Sequence, residues 1–512
     1  MNRKIGVIYS YVLMFVEVIS ATLFTPFLIR SLGQSEYGVY QLVASITAYL
    51  TLLDLGVGNA VVRYMAKYRA ENNKQKQEEF LGIATLFYGI IAVIVLIVGG
   101  VLLAIFPTVF AKGLSPEEIS IGKKLLFMTV LSVSFMLGTS GFANTLTAYE
   151  RFSFAKGLTI VMTVLKIAVA VLVLKLGMRS LGVVVVYFIT TVIIRGTCTG
   201  YVFFKLKLKP HFKHLDFGFV KETFSFSAFV FMQMIAVQIN SMTDSVLLGI
   251  LAKGSAVIIA VYGAGAQIVQ YFKTVGGHFN GVLMAGVVRL VESGANAKAL
   301  QDEMVRIGRI VFMMLGMVFT VFLVNGTDFM VLWAGEDYKQ GYMVAAAIMV
   351  PTMFTLVQSI GNQILWAMNK HRTQAVVQIV SALINIVLTA FLIKWNPLVG
   401  AVIGSVIALT VGDVLCMNVM FKKEIGISLT GYYKGLFKGI LPSLLLSGGA
   451  GLLFNLIGLS KFGWLGFIVN CGVMVLVYGI CMLLFGMNVS EKHMIFSIFK
   501  KMGKKFHLIK GE

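Results

Sequence analysis

The sequence predicts an all-α polytopic membrane protein with about 14 transmembrane helices. Of its 512 residues, 58% are hydrophobic and only 13% are charged, whereas soluble domains carry about 25% charged residues. Apolar runs follow one another along almost the whole chain, and a helix needs a run of about 20 such residues to cross a bilayer. Most charges lie in the short links between these runs, which leave no room for a soluble domain.

The runs are arranged as two six-helix lobes followed by two additional helices. A linker over 205–224, which begins with a basic run, separates the N-terminal lobe at 1–204 from the C-terminal lobe at 225–421. Two six-span halves with a site between them are a recurring plan among transporters. The predicted spans lie near residues 6–29, 37–60, 81–106, 125–147, 158–176, 183–204, 225–250, 257–287, 305–330, 343–367, 374–394, 399–421, 437–458 and 464–486.

The C-terminal part differs from both lobes. The two helices within 437–486 carry no charged residue or histidine inside the apolar runs, and a helix that is apolar on all sides can face lipid. We therefore expect these helices to be peripheral. The tail at 487–512 is basic and is expected in the cytoplasm. Its apolar residues recur every three or four positions from Ile495 to Phe506, which favours either an amphipathic helix on the inner leaflet or a frayed basic tail.

The distribution of basic residues predicts the orientation of the chain. With the N-terminus placed inside, Lys and Arg residues in the inner links outnumber those in the outer links by about three to one, as the positive-inside rule requires. Both termini are therefore expected in the cytoplasm. The net charge of +21 is then mainly a signal of topology. The basic residues are expected to interact with anionic phospholipid rather than with nucleic acid.

Several classes of function are disfavoured by what the chain carries. The four cysteines are dispersed, with no CxxC pair, so neither a disulfide, a metal site nor a bound cofactor is predicted. No Gly-rich phosphate loop is present, so the chain does not resemble an ATPase. A membrane enzyme would need positioned acidic or histidine side chains in the outer links, and these links are short. The adjacent acidic pairs in them are typical of solvated turns: Glu117, Glu118, Glu336 and Asp337.

Ionisable residues within the predicted spans are the candidates for function. Each costs about 2.5–3.5 kcal/mol on insertion scales and is by default a functional hypothesis. Because the basic residues at mid-depth outnumber Glu17, we expect a cationic cavity that attracts a phosphate-bearing solute. The basic residues are Lys166, Arg195 and Lys273; the others are Glu17, Asp54, Asp244, His278 and Asp413.

Each candidate also has a structural interpretation. Lys166 or Arg195 could form a structural ion pair with Glu17. Asp54 and Asp413 lie towards the inner face, where we expect them to be exposed at the interface. Glu17, Asp244 and His278 are the candidates for ion coupling, although His278 stands in a Gly-rich stretch that favours a packing role.

The N-terminal quarter resembles the opening of Wzx-type oligosaccharide flippases, members of the multidrug/oligosaccharidyl-lipid/polysaccharide exporter superfamily. Asp244 with the Leu-Leu-Gly that follows it is similar to the same family. The family's opening pattern includes Arg30, Tyr37, Asp54 and Arg63, to which the resemblance assigns gating or helix capping; Arg30 is also a candidate for binding cargo. The residues that carry the resemblance are Arg30-Ser-Leu-Gly33, Tyr37-Gly38, Leu53-Asp54-Leu-Gly56, Ala60, Arg63 and Leu146–Phe152.

The resemblance implies a flippase in the bacterial inner membrane. It would move undecaprenyl-pyrophosphate-linked oligosaccharide from the inner to the outer leaflet by alternating access, with coupling to an ion gradient. The implied partners are a polyprenyl-linked glycan, anionic phospholipid and a polysaccharide polymerase with its chain-length machinery. Two alternatives stay open: a multidrug or small-molecule antiporter of the same superfamily, which would favour an acidic cavity, and a flippase for lipid II.

Overall fold

The structure of the chain, a computed structural model, describes residues 2–212, 218–368, 370–458 and 462–493. These residues are almost entirely helical and include no β-strand, so the predicted all-α fold is confirmed. The helices are α1 Asn2–Leu50, α2 Val57–Ala70, α3 Lys74–Phe110, α4 Pro116–Gly138, α5 Ser140–Ala148, α6 Phe152–Lys175, α7 Arg179–Phe204, α8 Gly218–Leu251, α9 Ser255–Glu292, α10 Ala297–Ala334, α11 Gly341–Val357, α12 Ser359–Ala367, α13 His371–Leu392, α14 Pro397–Ala408, α15 Met417–Glu424, α16 Leu429–Phe437, α17 Ile440–Leu456 and α18 Gly463–Cys481.

The chain is a multi-pass membrane protein. Within the described ranges, 12 helical segments are long and apolar enough to cross a membrane, or 13 if the bent pair α16 and α17 forms one span. The first of these segments, Val12–Ala70, covers most of the predicted span near 6–29 and all of the one near 37–60. They meet near Gly33, whose backbone (φ 75°, ψ 171°) is not helical. The count of 14 spans stays a prediction.

The chain divides into two compact units, each built from two stretches of sequence. Unit 1 comprises Met1–Ala266 and Arg372–Gly412, and unit 2 comprises Gln267–His371 and Asp413–Glu512. The lobe boundaries drawn from the sequence, and the peripheral position of the last two helices, stay predictions. Of the predicted tail, residues 494–512 lie outside the described residues.

The start of the predicted linker packs against the first turns of α3 in unit 1. The backbone N–H of His211 donates to the carbonyl of Glu78 at 2.9 Å, and Leu208 is buried. A Cβ at Gly82 would lie 2.1 Å from the carbonyl oxygen of His211. Residues 205–212 are therefore held by main-chain contacts to a helix.

Close backbone contact within unit 1 depends on Gly38, in the family-like motif near the N-terminus. A Cβ at this position would lie 1.8 Å from the carbonyl oxygen of Ala256, at the start of α9. A backbone oxygen cannot move aside as the end of a flexible side chain can. Gly38 therefore permits α1 and α9 to approach more closely than any other residue would, as small residues do where membrane helices pack.

We expect Gly38→Ala to lower the melting temperature of the purified protein in detergent, with a loss of at least about 3 kcal/mol of stability, the upper range for an overpacked site. Gly89→Ala is the matched control, because Gly89 also lies inside a helix and a Cβ there meets no atom within 4 Å. The control should be neutral or stabilising by about 0.5–1 kcal/mol. Equal melting temperatures for the two variants would refute the close contact.

Candidate functional site

The second span of the chain is broken inside unit 1 at the motif that contains Asp54. After α1 ends at Leu50, a 3₁₀ turn covers Thr51–Asp54. Leu55 (φ 52°) and Gly56 (φ 74°) then both adopt the left-handed conformation before α2 begins. A left-handed leucine is uncommon, and two such residues in succession interrupt the helical hydrogen bonds. The break places the Asp54 carboxyl group at the end of a turn rather than along a continuous helix.

Asp54 belongs to a polar cluster that includes a half-buried arginine. The Tyr88 hydroxyl on α3 donates to Asp54 Oδ1 at 2.9 Å, and Asn144 Nδ2 on α5 donates to the Tyr88 oxygen at 3.4 Å. Arg195 on α7 interacts electrostatically with both Asp54 and Tyr88. We call these four residues the Arg195 cluster. Asp54 is partly buried, and its exposure at the membrane interface stays a prediction.

Lys166 forms a separate arrangement in unit 1. Its Nζ lies 4.6 Å from the centroid of the Tyr187 ring, within the range of a cation–π contact. Tyr187 is hydrogen-bonded to the partly buried Tyr40, and Lys166 interacts electrostatically with Glu17. Glu17 itself is exposed. Of the two basic residues that could have paired with Glu17, only Lys166 shows an interaction with it.

The third basic candidate, Lys273, lies in unit 2 and also meets a carboxylate. It is partly buried and interacts electrostatically with Asp413. Asp413 lies in a π-helical segment, Leu409–Cys416, and its carbonyl oxygen accepts a hydrogen bond from Gln358 Nε2 at 2.5 Å. With 9% of its surface exposed, Asp413 is buried, so the expectation of an exposed Asp413 is wrong. π-helical turns occur frequently at functional sites.

These contacts revise the predicted charge balance. The sequence set three basic side chains against Glu17, whereas in the structure each basic group lies within electrostatic range of a carboxylate of its own. Each candidate for binding an anion is therefore already partly neutralised. The side chain of His278 lies outside the described residues.

Asp244 on α8 is the most deeply buried of the candidate carboxylates, with 2% of its surface exposed. The hydroxyl groups of Tyr262 on α9 and Ser405 on α14 donate to its Oδ2. Thr389 Oγ1 on α13 donates to its Oδ1 at 3.3 Å, and Asn385 Nδ2 donates to Ser405 Oγ at 2.9 Å. We call these five residues, which all belong to unit 1, the Asp244 cluster.

The Asp244 cluster has the chemistry of a site for a small cation or a proton. Hydroxyl donors satisfy the oxygens of a buried carboxylate, but they do not cancel its charge, and an ionised carboxylate is costly to bury. Carboxylate, hydroxyl and amide oxygens are the ligands that hard cations prefer. Asn385 is fully buried, and its Oδ1 has no hydrogen-bond partner among the described residues. It is therefore available as one further oxygen ligand.

Asp244 was predicted from the sequence as a candidate, but its partners were not. The signal was present, because Ser381, Asn385 and Thr389 recur every four residues within the predicted span at 374–394. That spacing places them on one face of a helix. Ser381 Oγ donates to the carbonyl of Ala408 at 2.9 Å, so the whole polar stripe faces α14.

The other motif residues have local roles in unit 1. Tyr37 is buried, accepts a hydrogen bond from Gln41 Nε2 at 2.8 Å and stacks on Tyr40. Arg30 is exposed near the break at Gly33. Arg63 is exposed on α2, with its guanidinium carbon 5.9 Å from the centroid of the Tyr64 ring. Among the described residues, no group of three or more His, Cys, Asp and Glu side chains could hold a metal ion.

Comparisons with known proteins agree with this architecture. Residues 5–284 match the family described as "Polysaccharide biosynthesis protein". The chain is 23% identical to the uncharacterized membrane protein EpsK of Bacillus subtilis (strain 168) over 445 residues, which cover 82% of each chain. It also resembles the inward closed conformation of the lipid II flippase MurJ, with a TM-score of 0.68 and 14% identity over 93% of this chain and 97% of that one.

A second structural relative comes from multidrug transporters. The inward-facing conformation of a multidrug resistance MATE family transporter of the MOP superfamily gives a TM-score of 0.58 and 11% identity. The match covers 79% of this chain and 98% of that one. At these identities, both structural matches establish the fold and leave the cargo open.

Proposed function

We propose that this chain, which belongs to the polysaccharide biosynthesis protein family, is a flippase for undecaprenyl-pyrophosphate-linked oligosaccharide. It moves the repeat unit from the inner to the outer leaflet of the bacterial inner membrane, with both of its termini in the cytoplasm, and performs no covalent chemistry. The observation that best supports this cargo is the half-buried Arg195 within a span, beside the helix break at Leu55 and Gly56.

The headgroup chemistry matches these side chains. A guanidinium binds phosphate oxygens through two parallel hydrogen bonds, and a lysine binds them as a point charge. Arg195 and Lys166 supply one group of each kind within unit 1. The sugar and pyrophosphate occupy the polar interior while the polyprenyl tail stays in lipid, so the polar headgroup avoids contact with hydrocarbon during alternating access.

The Asp244 cluster supplies the ion coupling. A cation, Na⁺ or H⁺, that binds the buried carboxylate favours the conformation in which the cluster is assembled. A ligand shifts a conformational equilibrium only by its difference in affinity between the two states. The cation gradient can therefore bias the direction in which the flippase cycles, provided that the four helices of the cluster separate in the opposite state.

Two alternative functions, a multidrug antiporter and a flippase for lipid II, can be distinguished from the proposed one. A multidrug antiporter would bind cationic drugs and would favour an acidic cavity, whereas Arg195 and Lys166 are basic groups within spans of unit 1. A flippase for lipid II would share the pyrophosphate chemistry and differ in the sugar headgroup, so Arg195 does not distinguish it. That alternative predicts that depletion is lethal, whereas loss of a surface polysaccharide is not.

Depletion of the protein should cause undecaprenyl-linked oligosaccharide to accumulate on the inner leaflet and should abolish surface polysaccharide. Expression of the wild-type chain should restore both, whereas Arg195→Gln should not, because the glutamine side chain cannot neutralise a pyrophosphate. Glu71→Gln, which removes a charge from an exposed link, is the control and should complement fully. Drug sensitivity with intact surface polysaccharide would favour the antiporter, and full complementation by Arg195→Gln would argue against the anion site.

A further inference from the structure

Unit 2 contains a buried aspartate whose carboxyl group is not fully satisfied by its neighbours. Asp413, in the π-helical segment Leu409–Cys416, has 9% of its surface exposed, and its Oδ1 has no hydrogen-bond partner among the described residues. Buried polar atoms of this kind are rare, because nearly all of them find a partner. An ionised carboxylate can only accept hydrogen bonds, so what Asp413 Oδ1 lacks is a hydrogen atom.

The hydrogen bonds around Asp413 connect it to a second acceptor in the same state. Gln358 Nε2 donates to the main-chain carbonyl of Asp413 at 2.5 Å, and the Tyr433 hydroxyl donates to Gln358 Oε1 at 3.5 Å. Asn418 Nδ2 donates to the Tyr433 oxygen at 2.6 Å. Asn418 is itself buried, and within the described part of the chain its Oδ1 has no partner. We call these four residues, which all belong to unit 2, the Asp413 cluster.

A proton fits the Asp413 cluster better than a metal ion does. On Asp413, a proton removes the charge that burial makes costly and turns one carboxyl oxygen into a donor. The cluster already contains a buried acceptor that receives no hydrogen bond from a described residue, Asn418 Oδ1. A metal cation such as Ca²⁺ takes several oxygen ligands, whereas a proton needs one.

We propose that Asp413 is a proton-binding site of unit 2, distinct from the Asp244 cluster of unit 1. In the protonated state its carboxyl group is neutral and donates a hydrogen bond within the cluster. The titratable groups that neighbouring helices bring to it are Lys273 on α9, within electrostatic range, and Tyr433 on α16, through Gln358. The site stands whatever the cargo is, and only its use in a transport cycle rests on the proposed function.

Proton binding at Asp413 makes stability depend on pH in a known direction. In the unfolded chain an aspartate loses its proton near about pH 4, whereas the folded protein keeps the proton on Asp413 to higher pH. Stability from this group is therefore lost as the pH rises above about 4. Asp413→Asn is neutral at every pH and keeps both the size of the side chain and the main-chain bond to Gln358, so it does not share this loss.

Thermal unfolding of the purified full-length protein in detergent, from about pH 5 to 8, tests the proposal. The unfolding constant of the wild type, relative to that of Asp413→Asn, should rise by up to tenfold for each pH unit over which Asp413 titrates. An infrared band of a protonated carboxyl group should be present in the wild type at acidic pH and weaker in Asp413→Asn. Asp413→Ser, which is also neutral, should give the same pH dependence and replaces Asp413→Asn if that variant does not fold.

Asp302→Asn is the matched control, because Asp302 is an exposed aspartate on α10 of the same unit. Its difference from the wild type should stay constant over this pH range. The effect of Asp413→Asn should persist in an Asp244→Asn background, because the two carboxyl groups belong to separate clusters. A difference between the wild type and both neutral variants that is constant with pH, or that follows Na⁺ instead, would overturn the proposal.

This experiment needs no cargo, so its outcome is separate from that of the proposed function. Loss of surface polysaccharide on depletion, together with a pH-independent effect of Asp413→Asn, refutes the proton site alone. A pH-dependent effect of Asp413→Asn, together with normal surface polysaccharide after depletion, supports the proton site and refutes the cargo alone.

Discussion

Asp244→Asn should abolish the dependence of transport on a cation while leaving the protein folded. Asparagine has nearly the same size, and its amide oxygen can still accept hydrogen bonds from Tyr262 or Ser405, so the packing of the four helices is retained. The lost charge cannot be replaced by any neighbour shown in the cluster. Two unit charges 4 Å apart attract by about 4 kcal/mol at an effective dielectric constant of about 20, so the affinity for a cation should fall by roughly a thousandfold.

The coupling ion is identified by thermal unfolding of the wild type and of Asp244→Asn. If the ion is Na⁺, NaCl but not choline chloride should raise the melting temperature of the wild type and leave the variant unchanged. If the ion is H⁺, the difference between the two proteins should depend on pH and not on Na⁺. A variant that keeps the response of the wild type to both ions would exclude Asp244 as the coupling residue.

A second pair of variants distinguishes Na⁺ from H⁺, because Na⁺ needs several oxygen ligands whereas a proton needs only one acceptor. Thr389→Val preserves the shape of the side chain but removes Oγ1, one of the oxygens at Asp244. It should weaken the stabilisation by Na⁺ and have little effect on protonation. Thr190→Val is the matched control, because Thr190 is also buried and its hydroxyl only donates to the carbonyl of Val186 in its own helix.

Sequence patterns predicted the membrane fold because hydropathy is a local property, and a 20-residue apolar run can be recognised without knowing what surrounds it. The interruptions inside the spans were not predicted. Leu55 and Gly56 leave the helix within a continuous apolar stretch, and the π-helical turn that holds Asp413 follows no break in composition. Both depend on how the helix packs against its neighbours, and hydropathy does not record packing.

The sequence identified the charged residues of the candidate site but did not show which of them lie together. Arg195 and Asp54 were both identified, but they lie 141 positions apart in sequence, and only the packing of α3, α5 and α7 shows that they share a cluster. Counting charges by depth therefore overestimated the positive charge of the interior. The partners of Asp244 were missed for a related reason, since hydroxyl side chains carry no charge and are common in membrane helices.

Arg309 shows the same limit for a structural residue. It lies near the start of the predicted span at 305–330, and its side chain is only 6% exposed in unit 2. Its Nε donates to Glu491 Oε1 at 2.6 Å, and its two terminal nitrogens donate to the carbonyl groups of Gly435, Lys438 and Gly486 at 2.8–2.9 Å. One guanidinium thus joins α10 to the link before α17, to the end of the last span and to the residues that follow it.

Arg309→Ala should therefore be among the most destabilising single substitutions in unit 2. Removal of one member of a buried ion pair leaves an uncompensated charge and costs about 3–5 kcal/mol, and here three carbonyl groups lose a donor as well. Arg306→Ala is the matched control. Arg306 lies one turn earlier on the same helix and pairs with Glu303, but its side chain is 63% exposed, and an exposed pair contributes about 0–1 kcal/mol.

Thermal unfolding in detergent should show a large loss for Arg309→Ala and almost none for Arg306→Ala. The double variant Arg309→Met/Glu491→Met shows which of two causes explains the loss of stability. The first is the buried, unpaired charge of Glu491, and the second is the loss of the hydrogen bonds from Arg309 to the carbonyl groups. If the buried charge of Glu491 dominates, the double variant should be more stable than Arg309→Ala, because neither charge remains. If it is equally unstable, the hydrogen bonds to the three carbonyl groups carry the effect, since methionine cannot donate to them. Melting of Arg309→Ala at the temperature of the wild type would contradict both explanations, because a guanidinium buried among six acceptor atoms cannot be removed without cost.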